Sequence, residues 1–252
     1  MTTKDLKKEN IIILDVETAR PTKKDLTKKS ITYYKDAIGK NLVYDIGLMV
    51  VALPSGRTIT KRNFVVKEIF FNEMFMESAY YKEKLNDYYV DIAKKVRQVR
   101  TMRSIQSDVQ KLVDKYNVSK IFAYNCNFDK NALNTTSEYL SKRSSKEEFF
   151  SEDDFDFCCI WNMACQTLMN NEDYREFCNT HNLMSNNGNI STSAENCYRF
   201  LNNDECFVEK HTGLEDVKIE KQILLECLQT ETECCIDIDT QCWKKAQLQD
   251  RD

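Results

Sequence analysis

Glycine and proline are scarce in this chain, 5 and 2 among 252 residues, both below their ordinary shares. Nothing therefore resembles a flexible linker, and the length fits one α/β domain, read as residues 1–228 with a tail at 229–252. No apolar run approaches the ~20 residues of a membrane span, so no membrane partner is expected. The opening MTTKDLKKEN reaches no apolar stretch before a small-residue cleavage site, so no secretory signal is read and a cytoplasmic location is expected. Positive charge is not in excess: the net charge is −4, unusual for a protein whose affinity rests on phosphate neutralisation, so a nucleic-acid ligand would have to be held locally. Histidine is confined to His181 and His211.

Cysteine is plentiful, at eleven. Cys158-Cys159 and Cys234-Cys235 are adjacent pairs rather than CxxC knuckles, and two histidines add little, so a structural zinc site is not expected. The thiols read as reduced, most of them small buried hydrophobes. Basic residues gather at Lys23, Lys24, Lys28 and Lys29, and again at Lys94, Lys95, Arg97, Arg100 and Arg103. Each cluster reads first as a solvated face or loop.

The apolar pattern predicts strands at 11–16, 43–53 and 58–70, the last two joined by the turn Pro54-Ser55-Gly56, with a polar insertion at about 20–40. From Asn72 to Tyr116 apolar residues recur at three and four, which predicts two helices. A strand at 120–125 runs into the helical pattern DKNALNTTSEYL, then an exposed loop at 141–148 and a break at SNNGN, 185–189. A helix is predicted at 213–228. The tail, with Trp243 and three cysteines, is expected to be a helix packed on the domain or a segment docking a partner. A meander followed by strand and helices implies a mixed sheet flanked by α-helices, of α/β class.

Three stretches carry chemistry. In IIILDVETAR, 11–20, strand alternation points Asp15 and Glu17 to one face and Val16 to the other. Paired carboxylates repel unless a cation lies between them, and oxygen ligands suit Mg²⁺ or Mn²⁺; two acids at a solvated strand end is the plainer alternative. AYNCNFDKNAL, 123–133, places Asn125 and Asp129 after the second apolar strand, with Phe128 to anchor the turn. Asp129 reads either as a third carboxylate of the site or as a helix N-cap. In HTGLED, 211–216, Thr212 and Glu215 fit a capping box, which makes His211 and Asp216 the two residues of a staple that ordinarily holds apolar side chains. An imidazole and a carboxylate there suggest a proton acceptor beside an acid, and the helix N-terminus favours a phosphate.

DVE, NCNFD and HTGLED, in this order and spacing, resemble the three motifs of the DEDDh family of 3′ to 5′ exonucleases, which have the ribonuclease-H-like fold. The similarity runs from about Ile11 to Leu228 and is nearest to stand-alone exonucleases encoded by bacteriophages and to the proofreading exonuclease subunit of bacterial replicative DNA polymerase. The resemblance implies a mixed sheet of an antiparallel meander plus parallel strands. It also implies Asp15, Glu17 and Asp216 as ligands of two divalent ions, Mg²⁺ or Mn²⁺, with Asp129 completing the set directly or through water. His211 is implied as general base, with Val16, Thr18 and Ala19 near the 3′-terminal nucleotide and Asn125 and Phe128 supporting the site.

The implied activity is hydrolysis at the 3′ end of single-stranded DNA with release of nucleoside 5′-monophosphates, one ion activating a water and the other stabilising the leaving oxygen. An RNA-preferring exoribonuclease of the same family and a catalytically inactive nucleic-acid-binding module are the alternatives. Implied partners are the DNA or RNA 3′ end and a polymerase or other replication protein, and a phage origin would place the chain in a bacterial cytoplasm. The chain departs from the family at Ala19-Arg20, where Thr-Gly is usual, at Tyr124, where histidine is frequent, and at Gly213, which stands for a common alanine.

Overall fold

The computed structural model describes residues 1–6, 8–24, 32–141, 148–151, 153–238, 240, 242 and 244. Lys28, Lys29, Trp243 and most of the 141–148 loop fall outside them. The four apolar side chains of Ile11 to Leu14 are all buried, so β1 (Asn10–Ala19) can only be a central strand with a layer on each face. It pairs antiparallel with β2 (Leu42–Ala52), which pairs antiparallel with β3 (Arg57–Val66). The expected meander is present. β4 (Gln98–Arg100) adds to β3 in parallel, and β5 (Lys120–Ala123) and β6 (Asp156–Cys159) extend the other edge in parallel. The described strands form one mixed sheet, ordered β4-β3-β2-β1-β5-β6.

Side-chain alternation along β1 divides the core. Ile12, Leu14 and Val16 face a layer that includes α4 (Met102–Tyr116) and α5 (Cys126–Ser141). Ile11 and Ile13 face the layer of α6 (Ile160–Gln166), α7 (Glu172–Thr180), α8 (Ala194–Asn202) and α9 (Gly213–Gln229). Eight cysteines, Cys126 and Cys197 among them, are buried and none is in a disulfide.

Several boundaries differ from expectation. The third strand stops at Val66 rather than 70, because Val66, Ile69 and Phe70 are buried at helical spacing in α1 (Lys67–Phe70). Between 72 and 116 the two expected helices become α2 (Glu73–Met76), a 3₁₀ turn at Lys82–Lys84, α3 (Leu85–Ala93), the edge strand β4 and α4. Strands of three and four residues such as β4 and β6 are too short to show a period. The insertion leaves and returns at one place, where the Gly39 N–H donates to the Pro21 carbonyl at 2.8 Å. The described part of the tail is extended rather than helical at 234–237, where Ile236 is fully buried and its carbonyl accepts the Cys159 N–H. Among the described residues no helix is long and apolar enough to cross a membrane.

Candidate active site

Asp15 and Glu17 lie on the α9 face of β1, and Val16 lies in the opposite core, as the alternation required. A register break between Glu17 and Thr18 then ends the regular ladder. Across the strand pair, Asp15 stands opposite Gly47 and Glu17 opposite Asp45. Gly47 matters because a Cβ there would lie 2.0 Å from the Gly213 carbonyl carbon and 2.1 Å from the Leu214 nitrogen. The missing side chain lets the first turn of α9 settle directly on the sheet, and Asp216 in that turn is thereby brought to Asp15 and Glu17. One oxygen from each of these three residues falls within 4.8 Å of the others.

The capping box expected at Thr212 and Glu215 does not form: the Thr212 side chain makes no capping hydrogen bond and Glu215 pairs with Lys218. The cap comes from the sheet. Asp45, fully buried, accepts the Gly213 N–H at 3.1 Å and the Tyr88 hydroxyl at 2.8 Å, and ion-pairs with Arg97. Arg97 also donates to Asn63 and lies over the Tyr88 ring at 4.0 Å. Local sequence could not reveal a cap separated by 168 residues. Arg97 is accordingly not the solvated residue its basic cluster suggested. Arg97→Met leaves a buried carboxylate without its cation and is expected to cost about 3–5 kcal/mol, read as a thermal midpoint lower by about 10 °C. Asp45→Asn in the same chain should recover part of it, and a single variant melting like the native chain would refute the pairing's structural role.

Asp129 enters from α5. It sits in that helix's first turn rather than at its N-cap, and past the end of the β1–β5 ladder its Oδ1 accepts the Val16 N–H at 3.2 Å. A fifth carboxylate, Glu220, was not anticipated. It lies one turn after Asp216 on α9, buried among Val217, Ile223 and Leu224, and its sequence signal was a glutamate interrupting an apolar stripe.

These acids raise one another's pKa values. Burial, then Asp15 and Asp216, pushes Glu17 up to about 10, and burial, then Asp15, pushes Asp216 to about 9. Burial and Asp129 raise Asp15 well above the carboxylate range; burial raises Asp129, and burial and Asp15 raise Glu220. Asp15 Oδ2, Asp216 Oδ1 and Glu220 Oε2 are enclosed and accept no hydrogen bond from the described residues. Convergent, unpartnered carboxylate oxygens of this kind fit a hard divalent cation, with Asp15, Glu17 and Asp216 as the residues able to hold it.

His211 does not meet Asp216 as a staple would place it: no ion pair joins them among the described residues. Its backbone is left-handed, with φ of 49°, and the ring stacks on Tyr81 at 4.2 Å between centroids. Nδ1 lies 3.6 Å from Glu209 Oε2, in a group with Glu195. Glu209 bridges the two groups electrostatically, since its charge raises both Asp15 and Asp216. Burial and then Lys84 lower the imidazole pKa, so the ring is neutral near pH 7 and able to accept a proton.

The other expected residues divide. Thr18 is half-buried beside Glu17, whereas Val16 and Ala19 are enclosed, Ala19 opposite Ala79. Asn125 is exposed, with φ of 62°. Phe128 does not anchor the turn; it is 39% exposed, and the turn is closed by its N–H on the Asn125 carbonyl at 2.8 Å. Tyr124 turns behind the site and donates to the Thr192 carbonyl.

No protein-family model matches the chain, and no curated protein sequence does. Among solved structures, E. coli exonuclease I in complex with a 5cy-dT13 oligonucleotide is similar in fold, with a TM-score of 0.51 and 11% identity over 88% of this chain and 41% of that one. The same enzyme with a dT13 oligonucleotide gives 0.51 and 9% over 86% and 40%. An ExoI/SSB-Ct complex gives 0.50 and 9% over 88% and 42%. The chain spans about two fifths of the length of these proteins. At such identities the likeness is one of fold, and that fold is the ribonuclease-H-like mixed sheet with flanking helices.

Proposed function

We propose that the chain is a metal-dependent 3′ to 5′ exonuclease acting on single-stranded DNA. The observation that carries this reading is the convergence of Asp15, Glu17 and Asp216 within 4.8 Å, at the place where the fold brings a central strand against a helix N-terminus. Similarity in fold to exonuclease I structures that hold thymidylate oligonucleotides supports the choice of DNA. In this reading Asp15, Glu17 and Asp216 would hold divalent cations, Mg²⁺ or Mn²⁺, with Asp129 and Glu220 behind these three side chains. Bound there, two such ions would supply Lewis acidity to a phosphodiester and lower the pKa of a water.

The chain's own groups do the rest. His211, neutral, takes the proton of the attacking water; hydrogen bonds of this kind are often long without substrate and tighten in the complex. Tyr81 holds the imidazole ring in plane, and Glu209 stands on its Nδ1 side. The half-buried Thr18 and the exposed Asn125 and Phe128 are proposed to border the terminal nucleotide. Val16 contributes through its backbone N–H, which fixes Asp129.

A 5′-labelled oligothymidylate should shorten one nucleotide at a time from its 3′ end with Mg²⁺ or Mn²⁺ and stay intact in chelator. Internal cuts, or an uncut strand, would overturn the assignment. A matched oligouridylate competing in the same tube reads sugar preference, since the chemistry at phosphorus is shared and only 2′-hydroxyl contacts distinguish them. His211→Ala is expected to slow release by about 10²–10⁴-fold yet keep the cation-dependent rise in melting temperature, because it belongs to the neighbouring group rather than to the three carboxylates. Loss of both together would place His211 among the ligands.

A further inference from the structure

Lys61, Arg62, Lys84 and Lys210 line a cleft of about 620 Å³ between the first turns of α9 and the β3–β4 edge of the sheet. Other charges in its wall cancel locally: Arg97 pairs with Asp91 at 3.6 Å and Lys218 with Glu215. Asp87 is the remaining acid of the lining. Lys61, Arg62, Lys84 and Lys210 make no ion pair with any described residue. The lining therefore carries more positive than negative side chains on a chain of net charge −4, which favours the entry of an anion.

The cleft is continuous with the candidate active site through one side chain. Lys84 lines the cleft, donates from Nζ to the Lys210 carbonyl at 2.5 Å and lies over the Tyr81 ring at 4.7 Å, the ring on which His211 stacks. Its charge also reaches the carboxylates, lowering Glu17. Tyr80, 80% exposed, stands edge-on to Tyr81 at 4.8 Å and offers an open aromatic face of the kind on which bases stack. The four cations come from β3, the 3₁₀ turn and the segment before His211. Charges spread over three elements suit a succession of phosphates better than one small anion.

We propose that this cleft holds the phosphate backbone of a single-stranded polynucleotide, upstream of the nucleotide being released. The direction of the strand rests on the exonuclease reading; the presence of a backbone in the cleft does not, and binding can be measured without cleavage. In an Asp15→Asn chain, fluorescence anisotropy of a 5′-fluorescein oligothymidylate of about twelve nucleotides gives the affinity across a salt series. Adding Lys61→Ala and Lys210→Ala, both exposed positions, should weaken binding about tenfold. The slope of log affinity against log salt should fall by about 1.4, at ~0.7 per lost phosphate contact.

Lys61→Arg with Lys210→Arg should keep both values. Should the alanine pair melt early, Lys61→Ala with Arg62→Ala on β3 reads the same slope. Unchanged affinity and slope in folded alanine variants overturn the proposal, as does failure of the Asp15→Asn chain to bind the strand at low salt. Failure of the nuclease reading has a different signature: the native chain with Mn²⁺ leaves the strand intact while the lysine-dependent anisotropy persists.

Discussion

Asp15→Asn is expected to abolish nucleotide release, by about 10³-fold or more, and at the same time to raise the melting temperature of the cation-free protein. The two effects share a cause. Asp15 is the leading charge acting on Glu17, Asp216 and Glu220 after their own burial, so neutralising it relieves three neighbours while removing a ligand. The pH dependence follows in sign. Unfolded carboxylates titrate near ~4, whereas Glu17 is pushed up to about 10 and Asp216 to about 9 by burial and then Asp15. Between those limits the cation-free fold binds more protons than the unfolded chain. Stability is therefore greatest below about pH 4 for these groups and falls as pH rises through the folded values.

In chelator, the native chain should melt progressively earlier from about pH 5 to pH 9, and Asp15→Asn should melt later than native at pH 9, by about 5 °C, with the gap closing near pH 4. Saturating Mn²⁺ should raise the native midpoint at pH 8 by about 5–10 °C, from ~2.7 kcal/mol at a hundredfold excess over the dissociation constant. The same addition should do little for Asp15→Asn. A variant that melts earlier than native at pH 9 in chelator would show that the carboxylates are not in conflict, and the case for a cation between them would fall with it.

Much of this arrangement is legible in the sequence, for identifiable reasons. Asp15 and Glu17 follow an apolar strand whose period of two fixes their common face, and local alternation is enough to read that. Asp129 and Asp216 follow in turn at a strand end and a helix start. What could not be read depends on partners remote in sequence. Asp45 lies within a strand and carries no local mark of its role, which is to cap α9 through Gly213 and to hold Arg97. The capping box at Thr212 and Glu215 satisfied every local rule, yet a buried carboxylate on β2 took the donor instead. The staple contact expected between His211 and Asp216 is not made, because the left-handed turn at the His211 backbone and the face of Tyr81 set the direction of the ring. Glu220 was discoverable, since a glutamate in an apolar stripe needs a partner, but nothing in the local pattern said that its neighbours would be other acids.

Gly47→Ala is expected to damage the protein more than its single methyl group suggests. The new Cβ would fall 2.0 Å from the Gly213 carbonyl carbon, 2.1 Å from the Leu214 nitrogen and 2.4 Å from the Gly213 oxygen, and all three are backbone atoms that no side-chain rotation can move aside. Relief requires lifting the first turn of α9 off the sheet. That movement breaks the bond from the Gly213 N–H to Asp45 and withdraws Asp216 from Asp15 and Glu17 together. Overpacking of this kind costs about 1–3 kcal/mol, and misplacing a catalytic group by about 1 Å can cost about 10²-fold in rate.

Gly213→Ala approaches the same contact from the other side, with its Cβ 2.5 Å from the Gly47 nitrogen and 2.9 Å from the Asp15 carbonyl oxygen. It should also impair the site, even though alanine is the better helix former by about 1 kcal/mol and is common at this position in the exonucleases that the motif resembles. The glycine pair thus sets the distance between sheet and helix in this chain, and restoring the familiar alanine alone should lower cation affinity rather than improve it. Calorimetric titration of Mn²⁺ into each variant, beside its thermal melt, separates the two consequences. A Gly47→Ala chain that binds Mn²⁺ with native affinity would mean that α9 can retreat without carrying Asp216 away, and the close approach of the two backbones would then have no part in assembling the site.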